Sequence, residues 1–159
     1  MPGARPPSRP LASPPRHDLV GIGLAVFGIY NLALGLLMVV VPGEFFRLIG
    51  PFGARNDHYT RDNATFGLAI GIAALIAVRR ERWRVPVLIV LAVQFSLHAV
   101  NHLVDIDVAH SEWAGPLDFA LITLGAALAS VLALRAAREQ RGRSLGGRRV
   151  GGHADDSRR

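Results

Sequence analysis

The chain has 159 residues, of which 50% are apolar, and its 18 basic residues, all Arg, give a formal net charge of +6. This length allows one domain of ordinary size, and the absence of Cys excludes disulfides, zinc knuckles, iron–sulfur clusters and thiol nucleophiles. Nucleic-acid binding is excluded by the charge distribution, because the Arg residues flank apolar segments instead of forming a stripe on a soluble fold.

The first predicted membrane span covers residues 19–41. Residues 1–18 before it contain six Pro and three Arg, a composition that cannot bury a core, and we predict a disordered cytoplasmic tail. At about 1.5 Å per residue, the apolar run is long enough for a hydrocarbon core of about 30 Å. The run is longer than a signal-peptide core, so we expect it to remain uncleaved. Pro42 and Gly43 end it.

Three further apolar segments predict membrane spans at about 61–78, 85–104 and 116–134. The second span has a short apolar part, 64–78, so its helix must include polar residues at its start, where Arg61-Asp62-Asn63 supplies an N-cap. The fourth opens with Pro116, which a first turn tolerates. Residues 135–159 are rich in Arg and Gly and predict a short helical extension followed by a second cytoplasmic tail.

The Arg distribution predicts the orientation of these spans. The N-terminal tail has three Arg, the link between spans two and three has four, and the C-terminal tail has eight, while the other two links have three and none. Because short cytoplasmic segments carry the excess of Arg, we expect both termini and the middle link to face the cytoplasm. The predicted fold class is all-α: an integral four-helix bundle of the inner (cytoplasmic) membrane.

Small residues recur along the predicted spans. Gly21, Gly28 and Gly35 are spaced seven apart on the first span, and two small pairs are spaced four apart on later spans. These pairs are Gly67 with Gly71 and Gly125 with Ala129. Small residues let helix backbones approach closely in lipid, so the pattern predicts a tightly packed bundle.

The third predicted span carries a stripe of five polar residues. At 100° per residue, they fall within an arc of about 100° on one helix face. A polar group that faces lipid costs several kcal/mol, so we expect the stripe to face the bundle interior. In the predicted orientation, the stripe runs from the middle of the membrane toward its outer surface. The stripe consists of Gln94, His98, Asn101, His102 and Asp105.

Polar residues of the neighbouring spans are expected to meet this stripe. Asp62 lies at the outer start of the second span, and Asp118 lies about one turn into the fourth. Asn31 lies near the middle of the first span, and Arg61 can balance the carboxylates. The pocket candidates outside the stripe are therefore Asn31, His58, Arg61, Asp62 and Asp118.

The stripe permits three interpretations. Its side chains can be structural and form hydrogen bonds between helices. Alternatively, His98 and His102, four residues apart, with Asp105 one turn further, have a spacing compatible with zinc or iron ligands. Finally, the stripe can line a pocket for a quinone or lipid-like ligand, or pass protons, because ionisable residues inside a membrane are candidates for function.

Three segments near the predicted outer surface have a motif-like spacing. They are Gly50-Pro51-Phe52-Gly53, Asn56-x-His58-Tyr59-x-Arg61-Asp62 and Leu97-His98-x-x-Asn101-His102-x-x-Asp105. Together they resemble small bacterial four-helix membrane proteins of the DoxX-like kind, over residues 19–134. The resemblance implies the four-helix fold, a link to redox or quinone processes, and a site at Arg61, Asp62, His98, His102 and Asp105.

The leading functional hypothesis is a non-catalytic accessory or ligand-binding protein with a polar pocket that opens to the outer side. The enzyme alternative is a metal- or quinone-dependent membrane oxidoreductase, or its subunit, with His98 and His102 as ligands and Asp105 as a base. A second alternative is a membrane scaffold that binds another membrane protein or a second copy of itself. The expected surroundings are the lipid bilayer, with no nucleic acid, and the possible cofactors are a divalent metal or a quinone.

Overall fold

The computed structural model describes residues 18–109 and 112–153. Within these ranges the chain is helical and has no β-strand, apart from one isolated bridge between Phe52 and Ala109. The five helices are α1 (Leu19–Val40), α2 (Pro42–Leu48), α3 (Asp57–Arg79), α4 (Glu81–Val104) and α5 (Ala114–His153). All except α2 are long and apolar enough to cross a membrane, so the chain is a multi-pass membrane protein. Residues 1–17 of the predicted N-terminal tail and residues 154–159 of the predicted C-terminal tail lie outside the described residues.

The first span ends where the sequence predicts. The helix α1 stops at Val40, and Pro42 becomes the first residue of α2. Proline lacks an N–H and therefore cannot continue the hydrogen-bond ladder of α1, but it is well suited to a first turn. Helix α2, which the sequence pattern does not predict, has seven residues, and Glu44 and Arg47 form an exposed ion pair on it.

The second span begins earlier than predicted. The proposed cap at Arg61-Asp62-Asn63 is wrong, because α3 starts at Asp57 and Asn56 caps it. The Asn56 side chain accepts a hydrogen bond from the Tyr59 backbone N–H at 3.1 Å, and Asn is among the best N-cap residues. As expected, the helix includes polar residues at its start, which bring it to 23 residues.

The last helix extends well past the predicted end of its span at residue 134. The helix α5 has 40 residues and continues through the Arg-rich segment to His153. The side chains of Arg135 and Glu139 form an ion pair one turn apart on this extension, and such pairs support exposed helices. The apolar segment therefore marks the predicted membrane span and not the end of the helix.

The long helices associate as two close pairs, α1 with α3 and α4 with α5. A Cβ atom built on Gly71 would lie 3.0 Å from the Gly28 carbonyl oxygen, so α1 and α3 touch through their backbones. Gly125 of α5 provides space for the Phe95 ring of α4. The predicted packing role of small residues is confirmed at these positions, whereas Gly21 lies against its own N-cap residue, Asp18.

The two helix pairs share one apolar core. Phe27 of α1 and Phe95 of α4 meet edge to face, with ring centroids 5.3 Å apart. Leu88 and Leu91 of α4 are fully buried beside them, and Leu132 of α5 packs in the same cluster. This core holds α4 in a fixed rotation and thereby determines which polar side chains it exposes.

An ion pair joins the start of α1 to the start of α4. The Arg84 guanidinium donates to both carboxylate oxygens of Asp18, at 2.8 and 2.6 Å, and to the Val78 carbonyl at 2.9 Å. The Asp18 carboxylate also accepts from the Gly21 N–H and so caps α1. The hydrogen bond from Arg84 lowers the pKa of Asp18 below its usual value. The pair therefore links two helices that are far apart in sequence.

Candidate functional site

The polar stripe of α4 is divided between the bundle and the open side of the helix. Gln94, His102 and Asp105 are half-buried, whereas His98 and Asn101 are exposed. The expectation that the whole stripe faces the bundle interior is therefore wrong for His98 and Asn101. The Asp105 N–H donates to the Asn101 carbonyl at 3.1 Å and caps the end of α4.

The rotation of α4 explains this division. Its buried positions include Leu88, Leu91 and Phe95, and at 100° per residue the centre of the buried face lies roughly 60° from the centre of the stripe. One edge of the stripe therefore reaches the core, and the other edge remains uncovered. The core residues determine this angle, because packing Phe95 against Phe27 turns the stripe partly outward.

A shallow groove runs along the open side of α4. Within it, Gln94, His98 and Asn101 lie beside an apolar surface of the same helix. The apolar residues are each more than half exposed: Ile89, Val90, Val93 and Leu97. We call this surface the α4 groove. One end of the groove is polar, and the rest is an apolar surface that faces the region where lipid would be.

The two histidines of the stripe contact each other through their rings. The His98 and His102 ring centroids are 4.7 Å apart in an edge-to-face arrangement. Phe52, from the connection between α2 and α3, also contacts His102 edge to face, with ring centroids 4.8 Å apart. Among the described residues, the buried His102 Nδ1 has no hydrogen-bond partner. The site therefore contains an imidazole whose orientation is fixed but whose hydrogen-bonding capacity is not used.

Two further helices contribute polar groups to this end of the bundle. Asp118 of α5 is half-buried and lies within electrostatic range of His102 and of Tyr30 of α1. Tyr30 was not among the predicted pocket residues, whereas its neighbour Asn31 was. Asn31 is buried, but its amide donates to the Phe27 carbonyl of its own helix at 2.9 Å. Tyr30 could have been identified from its spacing of three residues from Phe27, which places both on adjoining parts of one face.

The remaining pocket candidates lie on the surface at the start of α3. His58 and Asp62 are both exposed, with 3.5 Å between the imidazole and the carboxylate. Arg61 lines a separate cleft with Arg55 and Asp57. In the part of the chain that the structure describes, none of His58, Arg61 and Asp62 makes a hydrogen bond or ion pair with the α4 stripe.

The candidate metal ligands have only part of the required geometry. His98 and His102 could supply two imidazole nitrogens, because their rings are in contact. Within residues 18–109 and 112–153, however, no group of three or more His, Asp or Glu side chains is arranged to hold a metal ion. A structural zinc site needs four ligands and a catalytic site three. The set His98, His102 and Asp105 therefore stays a prediction.

The hydrogen bonds between helices lie at the opposite end of the bundle from this site. They join Arg84 to Asp18, Gln140 to the Glu81 carbonyl, and Arg143 to the Glu81 carboxylate. Among the described side chains, no residue of the α4 stripe forms such a bond. The interpretation of the stripe as a structural hydrogen-bond network is therefore not supported, and its polar groups remain available to other molecules.

Comparisons with known proteins give no relative from which to infer the chemistry of this site. No protein-family model, curated protein or solved structure matches the chain. The function is therefore inferred from the four long helices, the α4 groove and the polar groups that surround it.

Proposed function

We propose that the protein binds a membrane-soluble amphipathic ligand of the quinone class at the polar end of the α4 groove. The observation that carries this proposal is that His98 and Asn101 are exposed on an apolar helix face, and half-buried Gln94 lies beside them with its side-chain oxygen buried. In the described chain, none of these three side chains has a hydrogen-bond partner. Polar side chains are costly in lipid unless another group satisfies them. A ligand with a polar head and an apolar tail satisfies both parts of the groove.

The chemistry of the site fits the head of a quinone. Its ring oxygens accept hydrogen bonds, and His98 and Asn101 both carry N–H donors. The His98 ring contacts the His102 ring, which in turn contacts Phe52, and Asp118 is within electrostatic range of the His102 imidazole. Because the groove is open along α4, a ligand can enter sideways from the bilayer. An apolar tail would then lie along Val90, Val93 and Leu97.

The Arg distribution supports a particular orientation for this site. Both termini and the α3–α4 connection are proposed to face the cytoplasm, because they carry most of the Arg residues. The polar end of the α4 groove then lies in the outer leaflet of the inner membrane. The resemblance of residues 19–134 to DoxX-like proteins supports the proposal that the protein acts in a redox or quinone-linked process as an accessory, ligand-binding component.

The scaffold alternative also has an observation in its favour. A second membrane helix could cover the α4 groove and satisfy Gln94, His98 and Asn101, since amide and imidazole groups form hydrogen bonds between helices in lipid. The two possibilities make different predictions about binding. A scaffold should change its oligomeric state when these residues are replaced, whereas a ligand site should change its affinity for a quinone.

The proposal predicts that His98→Leu or Asn101→Leu weakens binding of a short-chain quinone. Loss of one hydrogen bond corresponds to about 1 kcal/mol, so the dissociation constant should rise about fivefold for each variant. Isothermal titration of the detergent-purified protein with a short-chain benzoquinone and naphthoquinone measures this. Thr123→Leu is the matched control, because Thr123 is exposed on α5 outside the α4 groove.

Equal affinity in wild type, His98→Leu and Asn101→Leu would contradict the ligand proposal, as would equal weakening by Thr123→Leu. If the wild type binds neither quinone but forms a dimer that His98→Leu dissociates, the scaffold function replaces the proposed ligand-binding function. Size-exclusion chromatography with light scattering on the same samples measures the oligomeric state.

A further inference from the structure

A second groove lies between α3 and α4, at the Arg-rich end of the bundle. Its volume is about 440 Å³. Its walls are mainly apolar and include Ile70 and Ala73 from α3, with Pro86, Val87 and Val90 from α4. Arg82 and Trp83 also line it. We call this surface the hairpin groove, since it lies beside the one-residue connection, Arg80, between the two helices.

The charge beside the hairpin groove is strongly positive. Arg79, Arg80 and Arg82 are exposed, and no ion pair engages them among the described residues. The nearby carboxylate of Glu81 is occupied, because Arg143 contacts it. The fourth arginine of this segment, Arg84, is buried against Asp18. Three guanidinium groups therefore remain to attract an anion at the entrance to an apolar groove.

The side chains at this entrance are typical of the boundary between lipid tails and headgroups. Trp83 is 40% exposed, and Trp side chains concentrate at this boundary because their rings are amphipathic. Arg82 can extend its apolar stem along the groove while its guanidinium reaches the headgroup layer. Basic pockets between membrane helices on the cytoplasmic side bind anionic lipid headgroups.

From these observations we infer that the hairpin groove binds an anionic phospholipid. The phosphate contacts Arg82, with Arg79 and Arg80 adding to the field, and one acyl chain lies against Ile70, Ala73 and Val90. Charge complementarity selects the anionic headgroup, and the apolar walls distinguish a lipid from free phosphate. This inference does not rest on the proposed quinone function. The two grooves share Val90, but Arg82 and Ala73 line only the hairpin groove, and His98 and Asn101 line only the α4 groove.

The test compares retention of phosphatidylglycerol and phosphatidylcholine by the purified full-length protein in native mass spectrometry. Wild type should retain phosphatidylglycerol preferentially, and Arg82→Gln should lower its apparent affinity about fivefold, because one Arg near a lipid surface contributes about 1 kcal/mol. Arg138→Gln is the matched control, since Arg138 is exposed on α5 at the same end but does not line the groove.

A second variant tests the apolar wall separately from the charge. Ala73→Leu fills part of the groove and should also weaken phosphatidylglycerol binding, while excess inorganic phosphate should not displace the lipid from wild type. The inference is overturned if Arg82→Gln and Arg138→Gln weaken binding equally. The lost affinity would then reflect the overall positive charge at this end of the bundle and not a specific site. Displacement by phosphate, or equal retention of phosphatidylcholine, would also overturn it.

Discussion

Asp18→Ala is expected to destabilise the protein by about 2 kcal/mol, more than removal of its partner through Arg84→Met. The Arg84 side chain is 9% exposed, so loss of Asp18 leaves a largely buried guanidinium without its counter-charge. Breaking a fully buried pair from one side costs about 3–5 kcal/mol, and we reduce this because the Asp18 side chain is 52% exposed. Asp18→Ala also removes the N-cap of α1.

Arg84→Met should cost less, about 1 kcal/mol, because Met preserves much of the apolar packing and Asp18 remains hydrated and still caps α1. The double variant should be no less stable than Asp18→Ala alone, because the unpaired charge is then absent. Thermal unfolding in detergent micelles measures all three. Glu139→Ala, which breaks the exposed pair with Arg135, is the control and should change stability by about 0.5 kcal/mol or less. An equal cost for Asp18→Ala and Glu139→Ala would contradict this account.

The stabilisation from Asp18 should depend on pH with a definite sign. Its pKa is lowered in the folded protein, so the ionised form is favoured by folding. The contribution is therefore present above the usual pKa of an Asp side chain and is lost as the pH falls through the lowered value. At neutral pH the ion pair contributes fully, which makes neutral buffer the appropriate condition for comparing these variants.

Gly71→Leu is expected to prevent the close approach of α1 and α3 and to abolish recovery of a monodisperse protein. Even Gly71→Ala should cost about 1–3 kcal/mol, because its Cβ would lie 3.0 Å from both the Gly28 carbonyl oxygen and the Leu32 nitrogen. Both contacts are with backbone, which cannot move aside as a side chain end can. Recovery by size-exclusion chromatography and the unfolding temperature of Gly71→Ala measure the effect.

Gly67→Ala is the matched control on the same helix, one turn away. Its Cβ would meet only the Asn31 carbonyl oxygen at 3.7 Å, an ordinary van der Waals distance. The change should leave stability unaltered or raise it by up to about 1 kcal/mol, since Ala favours a helix more than Gly does. If Gly67→Ala and Gly71→Ala are equally destabilising, the two helices do not pack as described.

The sequence predicted the four long helices because three contain an apolar stretch of membrane length, and the shorter apolar stretch of α3 is extended by polar residues at its start. The first residue of a helix was harder to predict where two residues could each act as its N-cap. Asn56 and Asp62 are both capable N-caps, and the choice between them depends on the chain that enters α3. The helix α2 was missed because seven residues give too little periodicity to recognise.

The candidate site was predicted in part, and the limit has a physical reason. Helical spacing showed that His98 and His102 share a face, and the structure brings their rings into contact. Spacing within one helix cannot give its rotation relative to its neighbours, which depends on contacts such as that between Phe27 and Phe95. The contact of Phe52 with His102 also depends on the path of a loop, and it could not be predicted from helical periodicity.

Site-directed Cys labelling of intact cells tests most directly the claim that this is a membrane bundle whose polar site faces outward. The chain has no Cys, so single variants give unambiguous signals. Ala54 and Ser144 are exposed at opposite ends of the bundle, and Leu124 is 65% exposed in the middle of the predicted span 116–134. We predict that a membrane-impermeant maleimide labels Ala54→Cys in intact cells, Ser144→Cys only after permeabilisation, and Leu124→Cys in neither condition. Labelling of Ser144→Cys but not Ala54→Cys from outside would invert the orientation, and labelling of Leu124→Cys would contradict the membrane-embedded bundle itself.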